Sequence, residues 1–365
     1  MLSAIAGDSK KVITMDQALR PVRYIPTIFP SLNRALQLGG APLCATYVLH
    51  GPPGGAKTAV ALGLASSFTR QQHAAAIIEA EHALSKKWAV KLNVPMEGIL
   101  FNQPDNFEEA IDLVDGWIEN FKTSKESGRI PEDRGFIIII DTIHKMPPKY
   151  ELKQMRSANK GGGAENINKG WGRYRANMIS SWIDSLTPKV GKNDIAFVAL
   201  AHEKDAQQDQ DKDKDWYADD YRVKGGKSLL FEAMVRLRCR ATKRIFEARG
   251  GKKILVGREH KIMVEKNKVG FPHDEATIYI GNGRGSMPLG FDLAQEAFVE
   301  AKARDLLEIS GSNYTFPGED ETTINGRENA IEYLRTHPDA YEELYDLLND
   351  TIEMIDEDEL EDQEE

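Results

Sequence analysis

The sequence predicts an α/β fold in which a mainly parallel, twisted sheet is flanked by helices. Four continuous apolar runs predict buried strands: TYVLHG, AAIIEAE, GFIIIID and IAFVALAHE, at residues 46–51, 75–81, 135–141 and 195–203. Longer stretches with helical periodicity separate these runs. That alternation is typical of parallel strands that are covered by helices on both faces.

The remaining elements follow in chain order. The stretch SLNRALQLGG predicts a brief helix that stops at Gly39 and Gly40. After the fourth run, MVRLRCRA, KIMVEKNKV and ATIYIGNG predict further strands. Helical patterns dominate after about residue 290, with a helix pair broken near Pro338, and the last ten residues are nearly all acidic, which predicts disorder.

Length and composition limit the class of protein. The chain has 365 residues, 41% of them hydrophobic, which is enough for one large domain or two modest ones. No apolar run reaches the roughly 18–20 residues of a membrane span, and we expect no secretory leader. Two distant cysteines, Cys44 and Cys239, form no disulfide framework. The sequence therefore predicts a cytoplasmic protein with no membrane partner.

The charge is unevenly distributed. The net charge is −10, but residues 319–365 carry −17 and residues 1–318 carry +7. A basic body with an acidic appendage is a pattern of polyanion-binding proteins. A tail that only improves solubility explains the composition equally well.

The stretch VLHGPPGGAKTAVAL, residues 48–62, contains a phosphate-loop pattern, G-x-x-x-x-G-K-[ST], with alanine before the lysine. Its backbone N–H groups and the following helix N-terminus suit phosphate, Lys57 would neutralise the β- and γ-phosphates, and Thr58 would ligate Mg²⁺. We expect Ala56 to enter the helix with a negative φ, leaving a working but slow ATPase. The predicted ATP-binding residues of the loop are Gly51, Pro52, Pro53, Gly54, Gly55, Ala56, Lys57, Thr58 and Ala59.

Polar side chains end the other apolar runs. Asp141 is placed to hold Mg²⁺ through water, together with Thr58. Glu79 and Glu81 are two residues apart, so on a strand they share a face and orient or deprotonate the attacking water. His202 is placed to touch the γ-phosphate and relay its presence to the next loop. A strand-end residue without any role is the alternative in each case, but four such ends at one edge favour a site.

Two polar segments, about 147–171 and 203–226, combine cations with aromatic rings. Cations meet phosphates and rings stack on bases, so these segments suit single-stranded nucleic acid. Two solvated surface loops are the alternative. The predicted DNA-binding residues are Lys169, Trp171, Arg173, Arg175, Lys204, Trp216, Tyr217, Arg222, Lys224, Gly225 and Gly226.

In these motifs the chain resembles the RecA family of DNA strand-exchange ATPases, in order over about residues 25–350. GPPGGAKT resembles the family's GPESSGKT, EAEHAL is nearly its DAEHAL, and VEKNKVGFP resembles its VVKNKIAAP. The stretch NYTFPGEDETTINGRENAIEYLRTHPDAYEEL resembles the small C-terminal domain of the bacterial proteins. The phosphate loop alone is common to many ATPases, whereas the other motifs are specific.

The resemblance implies a division of the chain and roles for its residues. Residues 1–24 would be an N-terminal oligomerisation segment, 25–288 a RecA-like P-loop ATPase core, 289–352 a small C-terminal α/β domain and 353–365 an acidic disordered tail. Glu81 matches the catalytic glutamate, Trp88 the adenine-stacking position and Asp141 the metal-associated aspartate. Lys266 and Lys268 match lysines that reach the neighbouring subunit's ATP site and complete a catalytic set with Lys57 and Glu81.

The resemblance further implies a Mg²⁺- and DNA-dependent ATPase that forms helical filaments on single-stranded DNA and exchanges strands with duplex DNA. Single-strand-binding and loader proteins are expected partners. Two departures, His202 for a glutamine sensor and Ser85 for an adenine-contacting aspartate, suggest a divergent, phage-borne relative acting in a bacterial host cytoplasm. A hexameric RecA-fold helicase and a nucleotide-switched, non-catalytic mediator remain alternatives.

Overall fold

The computed structural model describes residues 22–158, 171–205, 221–224, 227–317 and 322–361. Within these ranges the helices are α1 (Pro30–Ala35), α2 (Lys57–Arg70), α3 (Lys86–Lys91), α4 (Phe107–Glu126), α5 (Lys149–Ala158), α6 (Trp171–Val190), α7 (Lys227–Glu232), α8 (Leu293–Ala303), α9 (Arg327–Thr336) and α10 (Pro338–Glu361). The strands are β1 (Tyr24–Ile25), β2 (Ala41–Pro42), β3 (Ala45–Gly51), β4 (Ala74–Glu79), β5 (Ile99–Asn102), β6 (Phe136–Asp141), β7 (Ile195–Asp205), β8 (Tyr221–Val223), β9 (Val235–Arg249), β10 (Lys252–Asn267), β11 (Glu275–Asn282), β12 (Leu289–Phe291), β13 (Glu308–Ser310), β14 (Asn313–Phe316) and β15 (Thr322–Asn325). This order confirms the predicted α/β class.

One large sheet forms the centre of the molecule. Its strands lie in the order β12–β11–β10–β9–β3–β7–β6–β4–β5, and β8 pairs with the end of β7. The six strands from β9 to β5 run parallel, whereas β9–β10, β10–β11, β11–β12 and β7–β8 are antiparallel pairs. The four apolar runs of the sequence are β3, β4, β6 and β7, and all of them lie in the parallel part.

Strand β6 shows why these runs are continuous. Phe136, Ile138 and Ile140 belong to the core cluster beneath α4 and α6, whereas Ile137 and Ile139 belong to the cluster beneath α2. Successive side chains of a strand point to opposite faces. Because helices cover both faces, no position on β6 is left for a polar side chain until its end.

A small domain follows the sheet. It contains α8, α9, α10 and the three-stranded antiparallel sheet β13–β14–β15. Strand β12 still belongs to the large sheet through its pairing with β11. The chain leaves the large sheet after Phe291, and the division at residue 289 stays a prediction.

Helix α1 ties the core to the small domain through buried polar side chains. The Ser31 hydroxyl donates to Glu296 Oε1 at 2.7 Å, and Asn33 Nδ2 donates to Asn349 Oδ1 at 3.0 Å. Ser31, Asn33 and Glu296 are almost fully buried. Burial raises the pKa of Glu296 well above its ordinary value. These bonds pair residues near the start of the described chain with residues near its end.

Helix α10 extends to Glu361, into the tail that the sequence predicts to be disordered. Its Ile352 is still buried. Once a helix is formed, each further residue adds a backbone hydrogen bond without a new nucleus, which favours continuation beyond the packed part. Residues 362–365 lie outside the described residues, as do residues 1–21 of the predicted N-terminal segment. No helix in the described ranges is long and apolar enough to cross a bilayer.

Candidate active site

The strand register places the predicted strand ends level with one another. Gly51 at the end of β3 pairs with His202 on β7, and Glu79 at the end of β4 pairs with Asp141 at the end of β6. All four lie at the carboxyl edge of the parallel strands, where open α/β sheets bind their ligands. The edge predicted from the sequence is therefore present in the fold.

A cavity of about 630 Å³ opens at this edge. It is lined by Pro53, Gly54, Gly55, Ala56, Lys57, Thr58, Ala59, Glu81, Trp88, Lys91, Asp141, His202, Leu255, Gly257, Arg258, His260, Ile280, Gly281, Asn282 and Leu289. The phosphate loop, two of the four catalytic candidates (Lys57 and Glu81) and the predicted adenine-stacking tryptophan thus share one cavity. Its volume is within the range of small-molecule sites.

The phosphate loop packs tightly against strand β9. A Cβ atom at Gly51 would lie 2.1 Å from the carbonyl oxygen of Cys239, and one at Gly55 would lie 2.4 Å from the same atom. Gly54, with a φ of +75°, faces open space instead. Glycine is therefore required at Gly51 and Gly55 by close backbone approach and at Gly54 by its left-handed conformation.

The expected conformation of Ala56 is wrong. Ala56 is the N-cap residue of α2, and its φ is +70° rather than negative. The chain is still turning here, since Gly54 is also left-handed, and the helix begins only at Lys57. An alanine in this region is strained by its Cβ atom. The glycine of the general pattern thus has a conformational reason that Ala56 does not meet.

Replacing Ala56 with glycine should stabilise the protein. Relief of the left-handed strain, reduced by the extra entropy of an unfolded glycine, should raise the free energy of unfolding by about 0.5–1 kcal/mol. Urea denaturation measures this change. Ala65→Gly, at a buried position within α2, is the comparison and should instead lower stability by about 1 kcal/mol or more, because it loses helix propensity and a buried methyl group. Equal losses in both variants would contradict the strain at Ala56.

Lys57 is buried, and its ammonium lies inside the loop. Nζ donates to the carbonyl oxygens of Gly51 and Pro52 at 2.9 Å and 3.0 Å. Burial lowers the pKa of this ammonium from its ordinary value. A cation held against backbone carbonyls at the loop's centre is suitably placed to pair with phosphate oxygens.

Thr58 and Asp141 form the predicted metal position. The Thr58 hydroxyl donates to Asp141 Oδ2 at 2.6 Å. Burial raises the pKa of Asp141, and the hydrogen bond from Thr58 opposes that rise. Hydroxyl and carboxylate oxygens are the hard ligands that Mg²⁺ prefers, so this pair of residues fits the ion.

Glu81 is held by two neighbours. The Thr142 hydroxyl donates to Glu81 Oε1, and the same oxygen lies 2.7 Å from His202 Nε2. Partial burial works against ionisation of Glu81, but the bonds from Thr142 and His202 outweigh it, so its pKa lies below the ordinary value. Glu81 is therefore a carboxylate at neutral pH, as a general base must be.

The predicted shared face of Glu79 and Glu81 is wrong. Strand β4 ends at Glu79, where its partner β6 also ends, so Glu81 lies in the following turn. Buried Glu79 accepts the backbone N–H groups of Glu81 and Ala83 at 3.1 Å and 3.0 Å, and Gln103 donates to its other oxygen. Glu79 thus positions the turn that carries Glu81.

Ser85 has a structural role in the short helix that carries Trp88. It is the N-cap residue of α3, and its hydroxyl accepts the Trp88 N–H at 3.2 Å. Serine is a preferred N-cap residue. Ser85, which departs from the family's pattern, therefore fixes the start of α3. Trp88 lies on this helix and lines the cavity.

Sequence reasoning missed the polar residues of the far wall, which are Lys91, Arg258, His260 and Asn282. Lys91 lies one helical turn after Trp88, so helical spacing could have indicated it. Arg258 and His260 share a face of β10. Nothing in the local pattern showed that β10 crosses the cavity. Burial, followed by the charge of Arg258, lowers the pKa of His260 to about 4.

Comparison with known proteins decides the family. The RecA N-terminal domain family matches residues 7–287. The chain belongs to the RecA family. Among its relatives, "Protein RecA" of Halalkalibacterium halodurans is 29% identical over 332 residues, which cover 90% of this chain and 83% of that protein. "Protein RecA" of Enterococcus faecalis is 28% identical (92% and 85% covered), and that of Thermus aquaticus is 30% identical (88% and 84% covered).

The two lysines that the RecA resemblance assigns to a neighbouring site lie at the end of β10. Lys266 Nζ donates to the carbonyl oxygen of Phe231 at 2.6 Å, and Lys268 is exposed just beyond the strand. Burial, then the charge of Lys268, lowers the pKa of Lys266. Both residues are described, and neither belongs to the wall of this chain's own cavity.

Most of the DNA-binding residues that the RecA resemblance predicts are located only by their backbone or not at all. Lys169, Trp216, Tyr217, Gly225 and Gly226 lie outside the described residues. Trp171 and Arg173 begin α6, Lys204 belongs to β7 and Arg222 to β8. Their contact with DNA stays a prediction.

Arg175 and Lys224 have partners within the protein. The Arg175 guanidinium donates to the fully buried carboxylate of Glu151, with Nε at 2.8 Å from Oε1, and so joins α6 to α5. The Lys224 N–H donates to the carbonyl oxygen of His202 at 2.9 Å. The end of the second basic segment is thus bonded directly to the predicted sensor.

Proposed function

We propose that this RecA-family protein is an ATP-dependent recombinase that binds single-stranded DNA as a filament and exchanges strands with duplex DNA. One observation carries the proposal: Glu81, bonded to Thr142 and His202, lies in the same cavity as the phosphate loop. Its membership of a family that acts in DNA recombination and repair supports the role.

The residues divide the hydrolysis of ATP between them. Lys57 would pair with the phosphates, Thr58 directly and Asp141 through water would hold Mg²⁺, and Trp88 would stack on the base. Bound Mg²⁺ neutralises phosphate charge. Glu81, ionised and anchored by Thr142, accepts a proton from the attacking water. Ala56 leaves this machinery in place, and we expect slow turnover.

His202 is proposed to transmit the state of the nucleotide. Its imidazole bonds to Glu81, and its carbonyl oxygen accepts the Lys224 N–H. Strand β8 pairs with β7 immediately beyond it, from Glu203 onwards. A shift of His202 on ATP binding therefore moves the backbone at both ends of the second basic segment, which would order that segment for DNA.

Lys266 and Lys268 are proposed to act on the ATP of the next subunit. A contact between two different faces of the same chain is heterologous, and repeated it generates an open helix. The placement of both lysines outside this chain's own cavity wall supports that role. Duplex DNA, single-strand-binding proteins and loaders belong to the same proposal.

Electron microscopy tests the proposal against its alternatives. With single-stranded DNA and a non-hydrolysable ATP analogue, a recombinase gives helical filaments and pairs homologous duplex. A hexameric RecA-fold helicase gives closed rings and unwinds duplex with ATP. A non-catalytic mediator assembles without measurable hydrolysis. The site residues present here favour the recombinase over the mediator, and the small C-terminal domain favours it over the helicase.

Deleting residues 353–365 should increase the affinity for duplex DNA. The segment contains nine acidic residues, and we propose that their charge competes with DNA for the basic segments. We expect a several-fold rise at low salt that shrinks as salt is added. Fluorescence anisotropy with labelled duplex measures it. A full-length variant with those acids changed to Asn or Gln is the control, and unchanged affinity in both would remove the idea.

A further inference from the structure

A group of charged residues lies behind the nucleotide cavity, at the ends of five strands. We call it the His50 cluster, and its members are His50 on β3, Glu203 on β7, Tyr221 on β8, Arg236 and Arg238 on β9 and Glu265 on β10. His50 is fully buried, with Nδ1 2.9 Å from Glu203 Oε1 and Nε2 3.0 Å from Glu265 Oε2.

The remaining members surround these two carboxylates. Arg238 Nε donates to Glu203 Oε1 at 2.8 Å, and Arg236 Nε lies 3.1 Å from Glu265 Oε2. The Tyr221 hydroxyl donates to Glu265 Oε1 at 2.7 Å, and its ring stacks on His50 and beneath Arg238. Each of the strands β7, β8, β9 and β10 thus contributes a charged or polar group to the surroundings of His50.

Members of the cluster are sequence neighbours of the proposed catalytic residues. His50 precedes Gly51 of the phosphate loop, Glu203 follows the sensor His202, and Glu265 precedes Lys266. On β3 and β7 successive residues point to opposite faces, so His50 and Glu203 lie on the face opposite Gly51 and His202, whereas Glu265 lies at an irregularity in the pairing of β10 with β9. The cluster therefore joins the strand ends that carry Gly51, His202 and Lys266, the last of which is proposed to act on the ATP of the next subunit.

The contacts of His50 require its charged form. A neutral imidazole has one donor and one acceptor nitrogen, so it cannot donate to two carboxylates. Burial disfavours the charge, but the hydrogen bonds to Glu203 and Glu265 outweigh it, so the pKa of His50 is raised above its ordinary value of 6.5. Burial opposes ionisation of Glu203 and Glu265, but His50 and Arg238 around Glu203, and His50, Tyr221 and Arg236 around Glu265, together outweigh it, so the pKa values of both glutamates are lowered.

We propose that His50, as an imidazolium held between Glu203 and Glu265, is a positioning residue that sets the phosphate loop, the sensor strand and the lysine strand relative to one another. Loss of its proton leaves a buried nitrogen lone pair facing a carboxylate. That repulsion separates the strand ends and weakens nucleotide binding.

The sign of the pH dependence follows from the direction of the shift. A histidine whose pKa is raised in the folded protein contributes its full stabilisation at pH values below its pKa in the unfolded chain. That stabilisation is lost as the pH rises through its pKa in the folded protein. The affinity for nucleotide should therefore fall as the pH rises above 6.5, and we call this fall the alkaline limb. Glu203 and Glu265, whose pKa values are lowered, lose their stabilising contribution only at acid pH, below the pH range of the alkaline limb.

The test measures the affinity for a fluorescent, non-hydrolysable ATP analogue between pH 6 and 9.5, without DNA. The unmodified protein should lose affinity about tenfold across the limb. His50→Gln should bind weakly at pH 7 and lack the limb, and Glu265→Gln should move the midpoint to lower pH. His337→Gln, in the small domain, is the matched control. The ratio of each variant's affinity to that of the control removes the effect of protonation of the nucleotide itself.

The outcomes separate the inference from the function on which it rests. A limb that survives in His50→Gln, or a midpoint unmoved in Glu265→Gln, would overturn the positioning role. So would imidazole nitrogen NMR shifts showing neutral His50 at pH 7, a readout that needs no nucleotide. A protein that shows the expected pH profile but no ATP-dependent retention of single-stranded DNA would contradict the recombinase and leave this inference standing.

Discussion

Lys57→Ala should abolish ATP-dependent binding of single-stranded DNA. The variant loses the buried cation at the centre of the phosphate loop, which donates here to the carbonyl oxygens of Gly51 and Pro52. A charge-assisted contact is worth about 1.5–3 kcal/mol, so the affinity for an ATP analogue should fall roughly 10- to 100-fold. Titration with the fluorescent analogue, followed by DNA anisotropy with and without nucleotide, measures both effects.

The control must separate loss of the site from loss of the fold. Lys122→Ala removes a lysine from the exposed side of α4, where it pairs only weakly with Glu119 and Glu126, and it should retain both activities. Circular dichroism should give the same melting curve for the two variants within a few degrees. Full nucleotide-gated DNA binding by Lys57→Ala would refute the assignment of the phosphate loop.

Glu81→Gln should separate ATP binding from ATP hydrolysis. Glutamine keeps an oxygen that accepts from Thr142 but removes the basic carboxylate. Loss of a general base typically slows turnover about 10²- to 10⁴-fold. In Glu81→Gln, ATP itself should therefore support DNA binding as a non-hydrolysable analogue does in the unmodified protein. DNA bound to the variant should dissociate more slowly than DNA bound to the unmodified protein with ATP. Phosphate release and DNA dissociation rates measure the two effects.

The matched change for this experiment is Glu97→Gln, an exposed glutamate outside the cavity wall, which should leave turnover unchanged. Glu79 is unsuitable as a control, because its carboxylate holds the turn that carries Glu81. Normal phosphate release by Glu81→Gln would mean that another residue activates the water, and the proposed division of roles would need revision.

The sequence alone was sufficient to predict strands that are buried on both faces, because burial leaves a continuous apolar run. Strand β6 is covered on both faces, so its run of isoleucines and the position of Asp141 at its end could be recognised directly. The same reasoning located His202. It failed at Glu81, since the end of β4 is decided by pairing with β6 and not by its own residues.

Other features depended on contacts between distant residues. The left-handed conformation of Ala56 comes from the path of the whole loop, and alanine itself gives no sign of it. Arg258 reaches the cavity only because the β9–β10 hairpin crosses it. His50 lies inside an apolar run, and its partners Glu203 and Glu265 are 153 and 215 residues away, so no local pattern could have joined them.

The anchoring of α1 has a consequence for how the protein is made. Ser31 and Asn33 precede their partners Glu296 and Asn349 by 265 and 316 residues, so they are synthesised well before them. Until then Asn33 is bonded only to nearby Thr27, and the Ser31 hydroxyl lacks both of its partners, Thr277 and Glu296. Unpaired buried groups are unfavourable. The nascent chain must therefore keep α1 hydrated while the sheet assembles, and docking of the small domain onto α1 is a late step of folding.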